Sequence, residues 1–311
     1  MSTARLQRTH NSSSGATCDL DLPLGFRADD VMRFHGRDTL QIAEQVDAHS
    51  LRKGITWNSE PACLDIHFDK QRAHAWLYVD CAQSKVTSTT LKHFVERLLG
   101  LTQPVAEFER HYQKHPRLGM LIKQNAGLRV PQAATPFEAL SWAITGQQIS
   151  VNAAVSVRRR LIEAAGLKHS SGIACYPDAA RVAGLNESAL RASGLSATKA
   201  QTLLTLSRMV AGGELPLDAW LEAPPTVEIS ERLTAVRGIG PWTVNYALLR
   251  GFGYLNGSLH GDVAVRRGLQ TLLDRPQKVS ADEAEKWLAQ FSPWRALVAA
   301  HLWAMPSRDS D

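Results

Sequence analysis

The sequence predicts an α+β N-terminal domain, with an antiparallel sheet and helices, followed by an all-α bundle. Between residues 56 and 80 apolar and polar residues alternate, which is the period of half-buried strands. Beyond about residue 112 apolar residues recur at helical spacing instead. We expect the α+β domain over residues 20–111 and the helical region over residues 112–306, with a disordered tail at 1–19 and a second tail at 307–311.

Two runs with a period of two predict strands in the first domain. Leu64, Ile66 and Phe68 share one face of the first run, and the second run covers residues 76–80. An apolar helical stripe over residues 91–99 follows and is closed by a glycine. These elements predict a sheet that is covered by a helix.

Helix boundaries in the second region follow from capping residues. A capping box with proline at the first helical position begins a helix at Thr135, and Glu138 completes the box. Further starts are predicted at Ser196, Ser280 and Ser292, and stops at Gly166 and Gly212.

The segment over residues 229–246 predicts a turn that can bind an anion. An apolar helical stripe ends before Gly238 and Gly240, and Pro241 is suited to the first position of a second helix. Unpaired amides and the positive end of the helix dipole at that point suit a DNA phosphate. An ordinary helix-loop-helix turn remains an alternative reading of this pattern.

Asp262 follows the hairpin, 22 positions after Gly240 and directly before an apolar helical run. Aspartate at a helix start is a preferred N-cap, so one reading is a purely structural cap. The other reading is a functional carboxylate, and both roles can hold together. Trp242 and Tyr246 lie one helical turn apart on one face, close in sequence to the hairpin.

These residues, together with three further segments, resemble the helix-hairpin-helix (HhH-GPD) DNA glycosylase superfamily and, within it, the AlkA-type DNA-3-methyladenine glycosylases II. The segments are residues 143–150, residues 194–200 and residues 292–303. The likeness covers about residues 20–305 and is stronger from residue 135 onward. The all-α region is accordingly expected to be a helix-hairpin-helix glycosylase bundle.

The resemblance implies a base excision repair enzyme that flips an alkylated base, such as 3-methyladenine or 7-methylguanine, out of double-stranded DNA and hydrolyses its N-glycosidic bond. Asp262 would stabilise the positive charge that develops on the sugar. Electron-rich rings would attract a cationic base. The expected pocket rings are Trp242, Tyr246, Trp303 and Phe34.

Members of the superfamily that also cut the strand use a lysine nucleophile two residues after the second hairpin glycine. Here that position is Trp242. The resemblance therefore implies a monofunctional hydrolase without lyase activity.

DNA contact is expected mostly at phosphates. The expected DNA-binding residues are Arg237, Gly238, Ile239, Gly240, Gln147, Gln148 and Lys199. Gln148 stands where the family inserts an apolar wedge, and Val263 stands where an aromatic is usual; both departures bear on substrate range. The run Arg158-Arg159-Arg160 is interpreted as a solvated helix face.

Composition limits the remaining possibilities. The 311 residues are 44% hydrophobic and carry a net charge of +5, which suits a polyanionic partner. The four cysteines form no C-x-x-C pair and no nucleotide motif occurs, so we expect no metal and no cofactor. Without a secretory signal or a long apolar run, we expect a cytoplasmic, nucleoid-associated monomer that has no contact with membranes.

Two alternatives remain open. A non-catalytic helix-hairpin-helix module would bind DNA and give Asp262 no special role. A glycosylase for oxidised or deaminated bases would keep the reaction and change the substrate, because aromatic rings alone do not determine the lesion.

Overall fold

A computed structural model describes residues 14–305 of the chain. Its N-terminal part contains a five-stranded antiparallel sheet in the order β1-β5-β4-β3-β2. The strands are β1 (Ser14–Asp21), β2 (Glu44–Val46), β3 (Ser50–Trp57), β4 (Glu60–Asp69) and β5 (Arg72–Val79). The predicted antiparallel sheet is confirmed, and the two predicted strands correspond to β4 and β5.

Two helices, α1 (Ala28–His35) and α2 (Ser88–Leu98), accompany this sheet. Leu64 of β4, Leu77 of β5 and Leu91 of α2 are fully buried in one apolar cluster. Each fully buried leucine contributes about 1.5–3 kcal/mol of transfer free energy. The helical stripe predicted over residues 91–99 is thus the face of α2 that covers the sheet.

The disordered tail predicted over residues 1–19 is wrong for residues 14–19, which lie in β1. Ala16, Cys18 and Leu20 alternate with polar residues and pack against the core of the sheet. This short run with a period of two forms an edge strand, which is stabilised because it pairs along its whole length with β5. The rest of that tail and the predicted C-terminal tail lie outside the described residues.

From residue 105 onward the described elements are helical, as the sequence predicts. The α-helices are α3 (Val105–Tyr112), α4 (Leu118–Gln124), α5 (Pro136–Gly146), α6 (Val151–Ala165), α7 (Ala179–Ala183), α8 (Glu187–Ala192), α9 (Ala197–Ala211), α10 (Thr226–Thr234), α11 (Pro241–Phe252), α12 (Val263–Leu272), α13 (Ala281–Ala289) and α14 (Arg295–Trp303). A 3₁₀ turn lies at Ala219–Leu221.

Helix α11 is shared between the two apolar clusters of the helical region. It contributes Tyr246 and Leu249 to one cluster and Val244 and Leu248 to the other. A helix buried on both sides is held rigidly, and its first turn follows the hairpin directly. Because α3 also packs into the first of these clusters, through Phe108, we propose that the domain boundary lies before α3 rather than at residue 111.

Most predicted helix starts are confirmed. Ser196 and Ser280 cap α9 and α13 with their side chains. Thr135 caps α5, but the carboxylate of Glu138 does not complete the capping box; it accepts from the Ala134 amide and joins an ion cluster. The start predicted at Ser292 is wrong: α14 begins three residues later, because a turn closed by the Trp294 amide and the Phe291 carbonyl precedes it.

The two parts of the chain are joined by buried ion pairs. Lys53 Nζ lies 2.6 Å from Glu44 and 2.8 Å from Glu138, and Arg158 lies 2.6 and 2.9 Å from the same two carboxylates. We call these four residues the buried ion cluster. Burial opposes ionisation of both acids, but Arg158 and Lys53 outweigh it and hold the pKa values of Glu44 and Glu138 below their usual range.

The interpretation of residues 158–160 as a solvated face is therefore wrong. Arg158 belongs to the buried ion cluster, and Arg159 lies 2.6 Å from Asp38. Arg160 is exposed, but its Nε donates to the Ser193 carbonyl at 2.8 Å. Carboxylates from the N-terminal part of the chain attract the first two arginines, and nothing in their local spacing indicates such partners.

Candidate functional site

The predicted hairpin lies between α10 and α11. Gly238 has a φ of 91°, and Gly240 is the N-cap of α11 with Pro241 as the first helical residue. Position 238 requires glycine because of its left-handed backbone and because a Cβ there would overlap the side chain of Thr202. The sequence prediction of a helix, a hairpin and a helix is confirmed.

The hairpin amides differ in whether they are free to donate a hydrogen bond to a ligand. The Ile239 amide donates to the Val236 carbonyl at 3.0 Å and the Ile239 side chain is buried, so this amide is not a free donor, contrary to expectation. The apolar side chain of Ile239 packs into the core and fixes the turn. Within residues 14–305, the amides of Gly238 and Gly240 donate to no other residue. They lie at the positive end of α11, where unpaired amides attract anions.

Gln147 and Lys199 brace the hairpin from α5 and α9. Gln147 Nε2 donates to the Gly238 carbonyl and to Thr243 Oγ1, both at 3.0 Å. Lys199 Nζ donates to the carbonyls of Thr145 and Gln147 at 2.9 and 2.6 Å, which satisfies the C-terminal end of α5. Partial burial lowers the pKa of Lys199. Both side chains are thus committed to protein atoms in this structure.

Gln148 and Arg237 are the exposed members of the expected DNA-binding set. Gln148 follows the end of α5, is exposed and has a φ of 57°. Ile149, the next residue, is 40% exposed, so an apolar side chain adjoins the polar one. Arg237 is exposed directly before the hairpin glycine. Gln148 thus follows a residue that bonds to the hairpin, and Arg237 directly precedes the hairpin glycine.

Asp262 is held by four hydrogen-bond donors. As the N-cap of α12, its Oδ1 accepts from the amides of Ala264 and Val265 at 2.9 and 3.1 Å. The same oxygen accepts from Trp303 Nε1 at 3.1 Å, and Oδ2 accepts from Trp242 Nε1 at 2.9 Å. The predicted cap is confirmed, and the half-buried carboxylate also contacts two of the expected pocket rings. Trp242 is the second residue of α11, so the acid lies close to the hairpin.

The other two expected rings, Tyr246 and Phe34, line a cavity. Trp242 and Tyr246 have ring centroids 5.5 Å apart, which continues the aromatic surface along α11. Tyr246 and Phe34 both line a cavity of about 50 Å³, to which Trp142 adds a third ring. Phe34 comes from α1, so the N-terminal domain contributes to the cavity wall.

Guanidinium groups lie against these rings. The Cζ atom of Arg250 is 4.3 Å from the Phe34 ring centroid and 5.6 Å from that of Trp303. The Cζ atom of Arg37 is 4.6 Å from the Phe34 centroid. All four predicted rings therefore belong to one surface, which runs from Asp262 to Phe34 through Arg250.

Comparison with protein families matches two models to consecutive parts of the chain. Residues 19–135 match the AlkA N-terminal domain, and residues 141–293 match the HhH-GPD superfamily base excision DNA repair proteins. The chain belongs to the HhH-GPD superfamily of base excision DNA repair proteins.

Similar HhH-GPD proteins are DNA glycosylases. The chain is 26% identical over 213 residues to the DNA-3-methyladenine glycosylase of Bacillus subtilis. That alignment covers 68% of this chain and 70% of the Bacillus protein. The chain is 31% identical over 189 residues to DNA-3-methyladenine glycosylase 2 of Escherichia coli, covering 60% of this chain and 63% of that protein. The alignments thus span about two thirds of these relatives.

A solved structure extends the fold comparison across nearly the whole chain. The 3-methyladenine DNA-glycosylase from Archaeoglobus fulgidus superposes with a TM-score of 0.77 and covers 92% of this chain and 96% of its own. The sequence identity is 21%, so this match concerns the fold. Both the sheet domain and the helical bundle of this HhH-GPD protein are included in it.

Sequence reasoning missed three residues that line the cavity of this candidate site: Arg250, Arg37 and Trp142. The spacing held a signal for Arg250, because residues 242, 246 and 250 lie at successive turns on one face of α11. Nothing in the local sequence indicates that Arg37 and Trp142 meet Phe34. Val263, the first residue of α12, is 54% exposed.

Two further searches cover the described part of this HhH-GPD chain. Between residues 14 and 305, no group of three or more His, Cys, Asp or Glu side chains is placed to hold a metal ion. Over the same range, no helix is sufficiently long and apolar to cross a membrane.

Proposed function

We propose that this protein is a monofunctional DNA glycosylase that flips an alkylated base out of duplex DNA and hydrolyses its N-glycosidic bond. The observation that carries the proposal is the carboxylate of Asp262, which is fixed by two amides and two indole N–H groups. One of these indoles, Trp242, packs against Tyr246, a ring of the cavity wall. The hairpin that would grip the strand adjoins the carboxylate through the first turn of α11.

The proposed reaction develops positive charge on the sugar, which the carboxylate of Asp262 would stabilise. As the bond between C1′ and the base nitrogen breaks, the electron pair leaves with the base and positive charge develops on the sugar. A nearby carboxylate stabilises that charge, and more strongly in a site from which water is excluded. Water then adds its oxygen to C1′ and loses a proton. Four fixed donors hold the carboxylate, so little reorganisation accompanies the reaction.

The names of the matched relatives support methylated purines as substrates, since the Bacillus and Escherichia proteins are named for 3-methyladenine. Trp242, Tyr246, Trp303 and Phe34 are the rings we propose for the base pocket. A cationic base over the ring of Trp242 or Tyr246, which no guanidinium covers among the described residues, gains about 0.5–2 kcal/mol, depending on desolvation. This gain is small enough to permit a broad set of substrates.

DNA binding is proposed at the hairpin surface. The amides of Gly238 and Gly240 and the guanidinium of Arg237 would contact phosphates, and affinity would fall as salt rises. We assign Gln147 and Lys199 to positioning, because their donors hold the hairpin and α5 together. Gln148 would enter the gap left by the flipped base. We further propose that the enzyme acts as a cytoplasmic monomer.

The test of this proposal is base release. Incubation of the full chain with methylated duplex DNA is expected to release free 3-methyladenine or 7-methylguanine, detected by chromatography, and to leave abasic sites. Binding without any release would instead support the non-catalytic helix-hairpin-helix module. Release only from DNA with oxidised or deaminated bases would support a glycosylase with another substrate.

We expect no covalent enzyme–DNA product when damaged DNA is treated with borohydride during the reaction. A lyase needs an amine that forms a Schiff base with the sugar, and position 242 holds an indole whose N–H donates to Asp262. The measurement is a denaturing gel of the trapped mixture, with strand nicking scored before and after alkali. A trapped band, or nicking without alkali, would contradict the monofunctional assignment.

A further inference from the structure

We propose that Arg250, assisted by Arg37, is a specificity-determining residue that favours neutral purines carrying a carbonyl acceptor over bases that are already cationic. The inference rests on the proposed glycosylase function and concerns the order of its substrates. It follows from the charge, the burial and the unpaired donors around the cavity.

The first observation is that protein cations already lie against the rings. Arg250 Cζ is 4.3 Å from the Phe34 centroid and Arg37 Cζ is 4.6 Å from it. Arg37 also lies 5.6 Å from the Trp142 centroid. A cationic base that stacked on Phe34 would therefore compete with two guanidinium groups for the same ring and would be repelled by both.

The second observation is that the cavity has an excess of positive charge. Three acids line it, and each is paired with a cation other than these two arginines: Asp38 with Arg159, and Glu44 and Glu138 with both Lys53 and Arg158. Across residues 14–305, neither Arg37 nor Arg250 forms an ion pair. Their two charges are thus not compensated by any neighbouring carboxylate.

The third observation is an unused donor on Arg250. The residue is 8% exposed, its Nη1 donates to the Pro131 carbonyl at 2.6 Å, and its buried Nε has no acceptor among the described residues. A buried N–H without a partner is costly, and a carbonyl oxygen of a bound base would satisfy it. Burial lowers the pKa of Arg250 to about 10, so the group is still protonated at neutral pH.

The free N–H of Arg250 can serve the carbonyl oxygen of either kind of base, but its charge affects neutral and cationic bases in opposite ways. When C1′–N cleavage sends the electron pair to a neutral base, that base becomes anionic, and the guanidinium stabilises it until it takes up the proton that water releases. When the base begins as a cation, the same electron pair neutralises it. In that case the guanidinium offers no stabilisation to the leaving base and repels it while it is bound.

The test compares single-turnover rates on two duplexes that differ only in one base, hypoxanthine or 7-methylguanine. Arg250→Met keeps an unbranched, flexible side chain and removes the guanidinium with its charge and donors. We expect this variant to change the ratio of hypoxanthine to 7-methylguanine excision by about tenfold or more, to the disadvantage of hypoxanthine. Arg37→Met should shift the ratio in the same direction by less, because Arg37 is exposed to solvent.

Arg33→Met is the matched control, since Arg33 lies on α1 near Phe34 but is exposed and paired with Asp30. It should leave the ratio unchanged. Arg250→Met loses the hydrogen bond to the Pro131 carbonyl, so the melting temperature of this variant is measured. If Arg250→Met does not fold, the excision ratio of Arg37→Met decides.

The outcomes separate this inference from the proposed function. A parallel fall of both rates, or an unchanged ratio in both variants, would overturn the specificity role and leave the glycosylase standing. Wild-type protein that released neither of these bases, and no 3-methyladenine from methylated duplex DNA, would instead overturn the proposed function. A ratio that shifted equally in Arg33→Met would show that general surface charge is responsible and would also overturn the inference.

Discussion

Asp262→Asn is expected to lower the release of methylated bases by about 10²–10³-fold while changing DNA affinity by no more than about twofold, in line with the loss of one preorganised electrostatic contact. The substitution removes the negative charge beside the developing sugar cation. The amide nitrogen of asparagine cannot accept from Trp242 Nε1, so one of the indole contacts is lost as well. The measurement is single-turnover release with binding measured in parallel.

Asparagine is nearly as good an N-cap as aspartate, so Asp262→Asn should lower the free energy of unfolding by only about 1 kcal/mol, mainly through the lost Trp242 hydrogen bond. Asp178→Asn is the matched control, because Asp178 caps α7 by accepting from the Arg181 amide at 2.8 Å and takes no part in the site. It should retain full release. Equal activity in the two variants would mean that Asp262 is a helix cap and nothing more.

The parts of the site that the sequence predicts are those governed by local rules. Glycine placement, proline at the first helical position and an aspartate N-cap all act within one or two turns of the chain, so Gly238, Pro241 and Asp262 could be assigned before the fold was known. The pairing of Trp242 with Tyr246 follows in the same way from helical spacing. These rules place the elements correctly and leave open what each side chain touches.

Contacts between distant parts of the chain account for what was missed. Arg158 meets Glu44 across 114 positions, and Arg159 meets Asp38 across 121. No periodicity in a helix indicates partners so far away, and an arginine run by itself resembles a solvated face. The sequence likewise gives no sign that Lys199, which stays a predicted DNA-binding residue, donates hydrogen bonds to two carbonyls.

The specificity of the pocket is likewise a property of the assembled fold. Phe34 is an aromatic on a short N-terminal helix, and the sequence suggests only that its ring could attract a cation. In the structure, guanidinium groups from α11 and from the loop after α1 approach that ring. A residue that matches a family position can therefore have a different electrostatic environment, which motivates the substrate comparison proposed for Arg250.

Lys53→Met is expected to lower the free energy of unfolding by about 3–5 kcal/mol, because removing one partner from a buried ionic group leaves an uncompensated charge. Lys53 is fully buried and contacts both Glu44 and Glu138, which would retain only Arg158. The measurement is urea or thermal unfolding. Lys92→Met is the matched control, since Lys92 is half exposed and 4.0 Å from Glu96 on the same helix, and its loss should cost less than about 0.5 kcal/mol.

The pH dependence of the destabilisation by Lys53→Met shows whether its cause is electrostatic. In the wild type the pKa of Glu138 lies below its ordinary 4.5, so its contribution to stability is present above about pH 4.5 and is lost as the pH falls toward the folded-state value. In Lys53→Met one buried carboxyl lacks a cation and binds a proton more readily when folded. The difference between variant and wild type should therefore be largest at neutral pH and shrink on acidification. A cost that did not vary with pH would point to lost packing and would contradict an electrostatic role for Lys53.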